Sequence, residues 1–136
     1  MDWKLEVVVV PVTDVDRAKD FYTKNAGFTL DVDFSAGEDF RIVQLTPPGS
    51  KCSITLMRNE EWAGHMMGLQ VVVNDIDVAH AEARERGVDV GEIHWYQDGV
   101  QTPGHHPERA DFGTFFAFKD PDGNNWLIQE VGKTSA

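Results

Sequence analysis

The chain has 136 residues, 41% hydrophobic and 26% charged, enough to bury the core of one ordinary domain without disulfide or metal support. Its formal net charge of −11 repels phosphate backbones and argues against nucleic acid as a partner, while favouring a cationic ligand if charge matters at all. Cys52 is alone, which excludes an intrachain disulfide and a cysteine-based zinc site and agrees with a cytoplasmic setting; the opening Met1-Asp2-Trp3-Lys4 has no signal-peptide pattern, and no apolar run approaches the roughly 20 residues of a membrane helix.

The first element is the β-branched, uncharged run Val7 to Val12, which predicts a buried strand. Thr13 or Asp14 then offers an N-cap oxygen, and Asp14 and Asp16 suit the positive end of a helix dipole. Val15, Ala18, Phe21, Tyr22 and Ala26 recur at helical spacing, and Gly27 supplies a C-terminal stop. Phe21 and Tyr22 belong to the core on this pattern. Three strands follow, at Phe28–Phe34, Phe40–Thr46 and Cys52–Met57, separated by Ser35-Ala36-Gly37-Glu38 and Pro47-Pro48-Gly49-Ser50, both turn chemistry. Residues 59–67 form a polar bridge.

The pattern then starts again. A shift of 61 residues brings Asp14 onto Asp75, Val15 onto Ile76, Asp16 onto Asp77 and Ala18 onto Ala79. The second helix has Asn74 or Asp75 as cap, Ile76, Ala79 and Ala83 on its apolar face, and Gly87 as its stop. Strands are predicted at Val88–Trp95, Gly113–Phe118 and Asn125–Val131, with Asp120-Pro121-Asp122-Gly123-Asn124 as the turn between the last two. Residues 96–112 receive no element. An internal repeat of this kind marks a duplicated supersecondary unit. The expected fold is α+β: one domain, residues 1–136, with two βαβββ modules at about 4–58 and 68–131. Together they would form a curved mixed sheet around a central cavity fit for a small molecule.

The run Pro-Val-Thr-Asp followed by Val-Asp-Arg-Ala-Lys-Asp-Phe-Tyr, the Val-Asn-Asp-Ile-Asp of the second helix, and Phe-Lys-Asp-Pro-Asp-Gly-Asn-Asn-Trp before the last strand resemble the vicinal oxygen chelate superfamily. These are the glyoxalase, bleomycin-resistance and extradiol-dioxygenase proteins. The resemblance covers nearly the whole chain. It implies four inward positions on the first, fourth, fifth and eighth strands, where metal-dependent members place His and Glu to chelate a substrate by Lewis-acid chemistry. Carried onto this chain, those positions are Val7, Thr55, Gly68 and Leu127. None is a good divalent-metal ligand. Glu6 is one residue away but points to the opposite sheet face. The resemblance therefore implies the metal-free, drug-binding branch, whose members are typically homodimers; with a net charge of −11 an interface needs an apolar centre, for which exposed parts of Phe34, Phe40 and Trp62 are candidates, the alternative being that they are core.

Chemistry-bearing side chains concentrate in the second module. His94-Trp95-Tyr96 leaves the sixth strand and His105, His106 and Arg109 precede the seventh, around one long connection of a length typical of binding loops. Aromatic rings there can stack on a planar ligand, and a histidine can act as acid or base. Gln129 shares a strand face with Leu127 and, with Thr55, offers polar contacts, whereas Trp126 and Ile128 point away. His65 lies in the bridge, and His80 falls on the polar face of the second helix. No nucleophile elbow, phosphate loop or dinucleotide fingerprint is present. The expected ligand-binding residues are Thr55, His94, Trp95, Tyr96, His105, Arg109 and Gln129, in a small-molecule-binding protein that sequesters a toxic compound or antibiotic and needs no cofactor. The alternative is a lyase, isomerase or dioxygenase in the same cavity, metal-free or holding a divalent metal through displaced ligands such as His94 with His105 or His106.

Overall fold

The computed structural model describes residues 1–132. The chain divides into two compact units: Met1–Met66 with Asp120–Asn124, and Met67–Lys119 with the segment from Asn125 onward. The elements are β1 (Val7–Val12), α1 (Val15–Asp20), β2 (Thr29–Ala36), β3 (Phe40–Thr46), β4 (Ser53–Arg58), β5 (Leu69–Val73), α2 (Ile76–Glu85), β6 (His94–Gln97), β7 (Val100–Pro103), β8 (Phe115–Lys119) and β9 (Asn125–Glu130). Among the described residues no helix is long and apolar enough to cross a membrane.

The first unit holds a four-stranded sheet in the order β1-β4-β3-β2. The uncharged β1 runs parallel to β4, and β2, β3 and β4 pair antiparallel. Alternation sends Val10 and Val12 of β1, Ile54 and Leu56 of β4 and Val43 and Leu45 of β3 to the face that Val15, Ala18 and Tyr22 cover; all are buried. Asp14 is the helix cap, accepting from the Arg17 amide at 3.0 Å. The helix ends in a widened π-turn, Phe21–Asn25, where the Ala26 amide reaches back to the Phe21 carbonyl. There the Thr23 hydroxyl donates to the Lys19 carbonyl, the kind of side-chain bond that competes with regular helix bonding. Tyr22 is core, as expected, and Phe21 is half-buried.

The Asp120–Asn124 turn belongs to the first unit rather than the second. Tyr22, fully buried, donates its hydroxyl to Asp120 at 2.7 Å. Asn124 donates its amide to the Pro11 carbonyl and accepts from the Met66 amide, while Asp122 accepts from the Thr13 amide and hydroxyl and from Arg17. A Cβ on Gly64 would stand 2.3 Å from the Asp122 carbonyl oxygen, so this contact requires glycine. The turn that signals the family in sequence is thus a polar plug, with Asp120 also accepting from the amides of Asp122 and Asn124.

The second unit holds a five-stranded sheet, β5-β9-β8-β6-β7. Leu69, Phe116, Phe118, Trp126 and Ile128 are buried on its helix face with Ile76 of α2, and Phe118 stacks on Trp126 at 5.9 Å. Asp75 caps α2, accepting from the amides of Asp77 and Val78. Two expectations need correction here. The predicted strand Val88–Trp95 is irregular up to Ile93, and its regular part is β6, four residues long. Residues 96–112 are also not one loop, because Gln97-Asp98-Gly99-Val100 closes a hairpin of β6 on β7. Asp98 and Gly99 take φ of 50° and 80°, the left-handed pair that a tight two-residue hairpin demands and Asp-Gly satisfies. His80, on the polar face of α2, is half-buried: its Nε2 donates to the Gly91 carbonyl at 2.9 Å and its ring lies edge-on to Phe116.

Candidate functional site

Each sheet leaves one face without a helix of its own unit. In the first, strand alternation and register put Val7, Val9 and Pro11 of β1, Ser53, Thr55 and Met57 of β4, Ile42 and Gln44 of β3, and Val32 and Phe34 of β2 on that face. Val9, Val32 and Phe34 are 40–50% exposed, an apolar surface of a kind that marks binding sites. Thr55 and Ser53 are buried among them; Ser53 shares a hydroxyl bond with Thr46, which also donates to Asp31. At the end of β1 and β4 this face opens into a groove of about 500 Å³ lined by Val9, Pro11, Met57, Arg58, Asn59, Trp62, His65 and Met66, within the size range of small-molecule pockets. His65 therefore does line a depression, edge-on to Trp62.

In the second unit the corresponding face carries Gln70 and Val72 of β5, Leu127 and Gln129 of β9, Phe115 and Ala117 of β8, and His94 and Tyr96 of β6. Three aromatic rings meet there. His94 stacks on Phe115 at 5.8 Å and 19°, and Tyr96 stands edge-on to both, at 5.5 Å. His94 is 5% exposed. Its Nδ1 lies 3.0 Å from the Glu92 carbonyl oxygen, and because a carbonyl only accepts, Nδ1 carries the hydrogen. Nε2 is buried with no hydrogen-bond partner, the one such side-chain atom among the described residues. Leaving a buried polar atom unpaired costs about 1–3 kcal/mol. Gln129 donates its amide to the Phe112 carbonyl.

Of the expected ligand contacts, the structure brings His94, Tyr96 and Gln129 together on one open face and puts Thr55 on the other unit's open face. It does not bring Trp95, His105 or Arg109 to them. Trp95 points to the opposite side of β6, against His106. His105 Nε2 sits 2.7 Å from Asp77, and Arg109 grips Glu130 with two bonds of 2.6 and 2.8 Å. Glu130 also accepts from the Ile76 amide. These residues clasp the segment after β7 to the start of α2. Hydrogen bonding from Arg109, aided by the Ile76 amide and opposed by burial, holds the Glu130 carboxyl below its usual range, and the same bond holds Arg109 above its own. In the first unit, bonds from Arg41 and then Lys19 hold Asp33 well below the carboxylate range on the helix side of the sheet. His106 is spent locally, its Nδ1 accepting from the amides of Glu108 and Ala110. Phe115, Met57 and the groove around Trp62 were not singled out in the sequence. The alternation of Phe115 with Phe116 was the available signal.

The register relates two of the four ligand-equivalent positions, Thr55 and Leu127, to each other by the internal repeat. Thr55 pairs with Val9 and Leu127 with Gln70, and Val9 and Gln70 are related by the same shift of 61 as the two helices. Val7, Thr55, Gly68 and Leu127 provide one hydroxyl and no imidazole or carboxylate, a donor set that does not fit the superfamily's metal. Among the described residues no three His, Cys, Asp or Glu side chains gather to hold a metal ion elsewhere.

A duplicated strand-helix-sheet unit with an open face on each sheet is consistent with the glyoxalase fold, and the sequence model of the Glyoxalase/Bleomycin resistance protein/Dioxygenase superfamily matches residues 4–128. The chain belongs to that superfamily. It is 30% identical to TnmS3, an antibiotic binding protein from Streptomyces sp. CB03234, with 96% of this chain and 98% of that one covered and a TM-score of 0.75. It is 31% identical to a glyoxalase/bleomycin resistance protein from the same organism, covering 93% and 100% of the two chains at a TM-score of 0.71. It is also 27% identical over 131 residues to the uncharacterized protein YetH of Bacillus subtilis (strain 168), covering 93% of this chain and 98% of that one.

Proposed function

We propose that this protein binds a small, largely apolar and planar molecule against the open face of its second unit's sheet and sequesters it, without a metal, in the manner of an antibiotic- or toxin-binding protein of the cytoplasm. The observation that carries the reading is the His94, Tyr96 and Phe115 cluster: three rings on an open face beside Leu127 and Gln129, with a fixed polar atom among them. Such a surface offers stacking area with few polar points, which is how small-molecule sites combine affinity with orientation. The similarity to an antibiotic binding protein supports the same reading. So does the donor-poor set at Val7, Thr55, Gly68 and Leu127, which gives a metal nothing to hold. We further propose a homodimer, in keeping with Phe34, Phe40 and Trp62, which are 45–58% exposed in the single chain.

Native mass spectrometry with elemental analysis of the purified protein, followed by thermal melts against a panel of planar aromatic antibiotics, tests the proposal. A binder at one hundred times its Kd stabilises the folded state by about 2.7 kcal/mol, a shift of several degrees for a chain this size. A panel in which no compound raises the melting temperature, or about one tightly held metal ion per chain, contradicts it.

A further inference from the structure

His94 is held as a hydrogen-bond acceptor with nothing to accept from. Its Nδ1 hydrogen is committed to the Glu92 carbonyl, so in the neutral ring Nε2 carries the lone pair. That atom has no partner, its side chain is nineteen-twentieths buried, and the rings beside it, Phe115 and Tyr96, present no hydrogen bond to it. Tyr96, packed edge-on to His94, is 47% exposed and is the solvent-facing member of the cluster.

We propose that His94 Nε2 is the orienting acceptor of the site and that the ligand is a planar aromatic compound bearing a phenolic or enolic hydroxyl, which donates to it. This inference rests on the small-molecule reading above. The ligand's ring lies edge to edge with His94, close to the imidazole plane, so that its in-plane hydroxyl points at the in-plane lone pair of Nε2, and it packs over the apolar Ala117 and Leu127 beside Phe115 on the sheet. A hydroxyl fits better than a carboxylate or phenolate on two counts. An anion has no hydrogen to give to Nε2, and a chain of net charge −11 disfavours a negative ligand. Tyr96 swings out as the hydroxyl enters and then covers the ligand's edge.

The test uses 2-naphthol and 2-methoxynaphthalene, which share the ring system and differ in that a methyl group replaces the hydroxyl hydrogen in the second, leaving it no hydrogen to donate. Each is titrated into protein labelled with nitrogen-15 at histidine, following the His94 ring nitrogens in long-range correlation spectra and the affinity by fluorescence. The expected result is an Nε2 signal that moves toward the hydrogen-bonded position with 2-naphthol only, and an affinity preference of about tenfold for 2-naphthol, the effect of one net hydrogen bond. In His94→Phe, which keeps the stacked ring, that preference falls to the ratio set by the compounds' own hydrophobicity. Both compounds binding with Nε2 unmoved, or the same preference in His94→Phe, overturns the role of His94 and leaves the small-molecule reading standing. If neither compound binds the native protein up to its solubility limit, both are overturned. Should His94→Phe fail to fold, the Nε2 signal of the native protein decides alone.

Discussion

Tyr22 shows how one hydroxyl ties distant sequence together. It is fully buried and donates to Asp120 at 2.7 Å, so removing it leaves a buried carboxylate with one bond fewer. Tyr22→Phe is expected to cost about 1–2 kcal/mol, read as a lower urea midpoint with unchanged slope. Arg109 and His105 belong to the same class of structural residue. Arg109→Ala leaves Glu130, whose side chain is 7% exposed, without its charged partner, at a cost of about 1–3 kcal/mol given that Arg109 itself is half in solvent. Affinity for a planar ligand should hold in His105→Ala and fall several-fold in Tyr96→Ala. The reverse result would return the histidine segment to the binding site. Acid stability follows the same residues. Glu130 and Asp33 have carboxyls held below their usual range, so they contribute stability that is fully present above the unfolded carboxylate range of about 4 and is lost as pH falls from there through their lower folded-state values. Urea midpoints measured from pH 7 down to pH 3 should drop at the acid end, and drop less steeply in Glu130→Gln.

At the scale of elements, much of the fold can be read from pattern alone. The β-branched run at Val7–Val12, the caps at Asp14 and Asp75, and the apolar spacing of both helices each act locally, and local signals survive in sequence. The hairpin of β6 and β7 was just as local, since Asp98-Gly99 is its turn. It was obscured because the strands it joins are only four residues each and Pro103 ends the second. Replacing Gly99 by Val forces a β-branched residue to a φ of 80° and should cost about 1–2 kcal/mol, measured by thermal melts. The site was legible in part. Alternation along β9 correctly sends Gln129 one way and Trp126 and Ile128 the other, and His94 and Tyr96 share a face two residues apart. Period-two reasoning also places Trp95 on the wrong side for a ligand, a consequence that grouping His94-Trp95-Tyr96 as one patch concealed. The engagements of His105 with Asp77 and of Arg109 with Glu130 span 28 and 21 residues, and no spacing rule reports contacts of that kind.

For the whole molecule, the superfamily follows from the duplication and the match over residues 4–128, while the metal does not follow from the superfamily. Elemental analysis should find no stoichiometric transition metal in the purified protein. Light scattering across a dilution series should give about twice the 15.2 kDa of one chain; a single-chain mass at every concentration contradicts the dimer. The central claim is that a planar small molecule binds on the open face of the second unit's sheet. Methyl-resolved NMR tests it most directly, because the second unit's sheet carries reporters on both sides: Val72 and Leu127 on the open face, Leu69 and Ile128 on the helix face. Titration with 2-naphthol should shift signals from the first group and leave the second in place. Shifts confined to the second group, or none at all, would contradict the account.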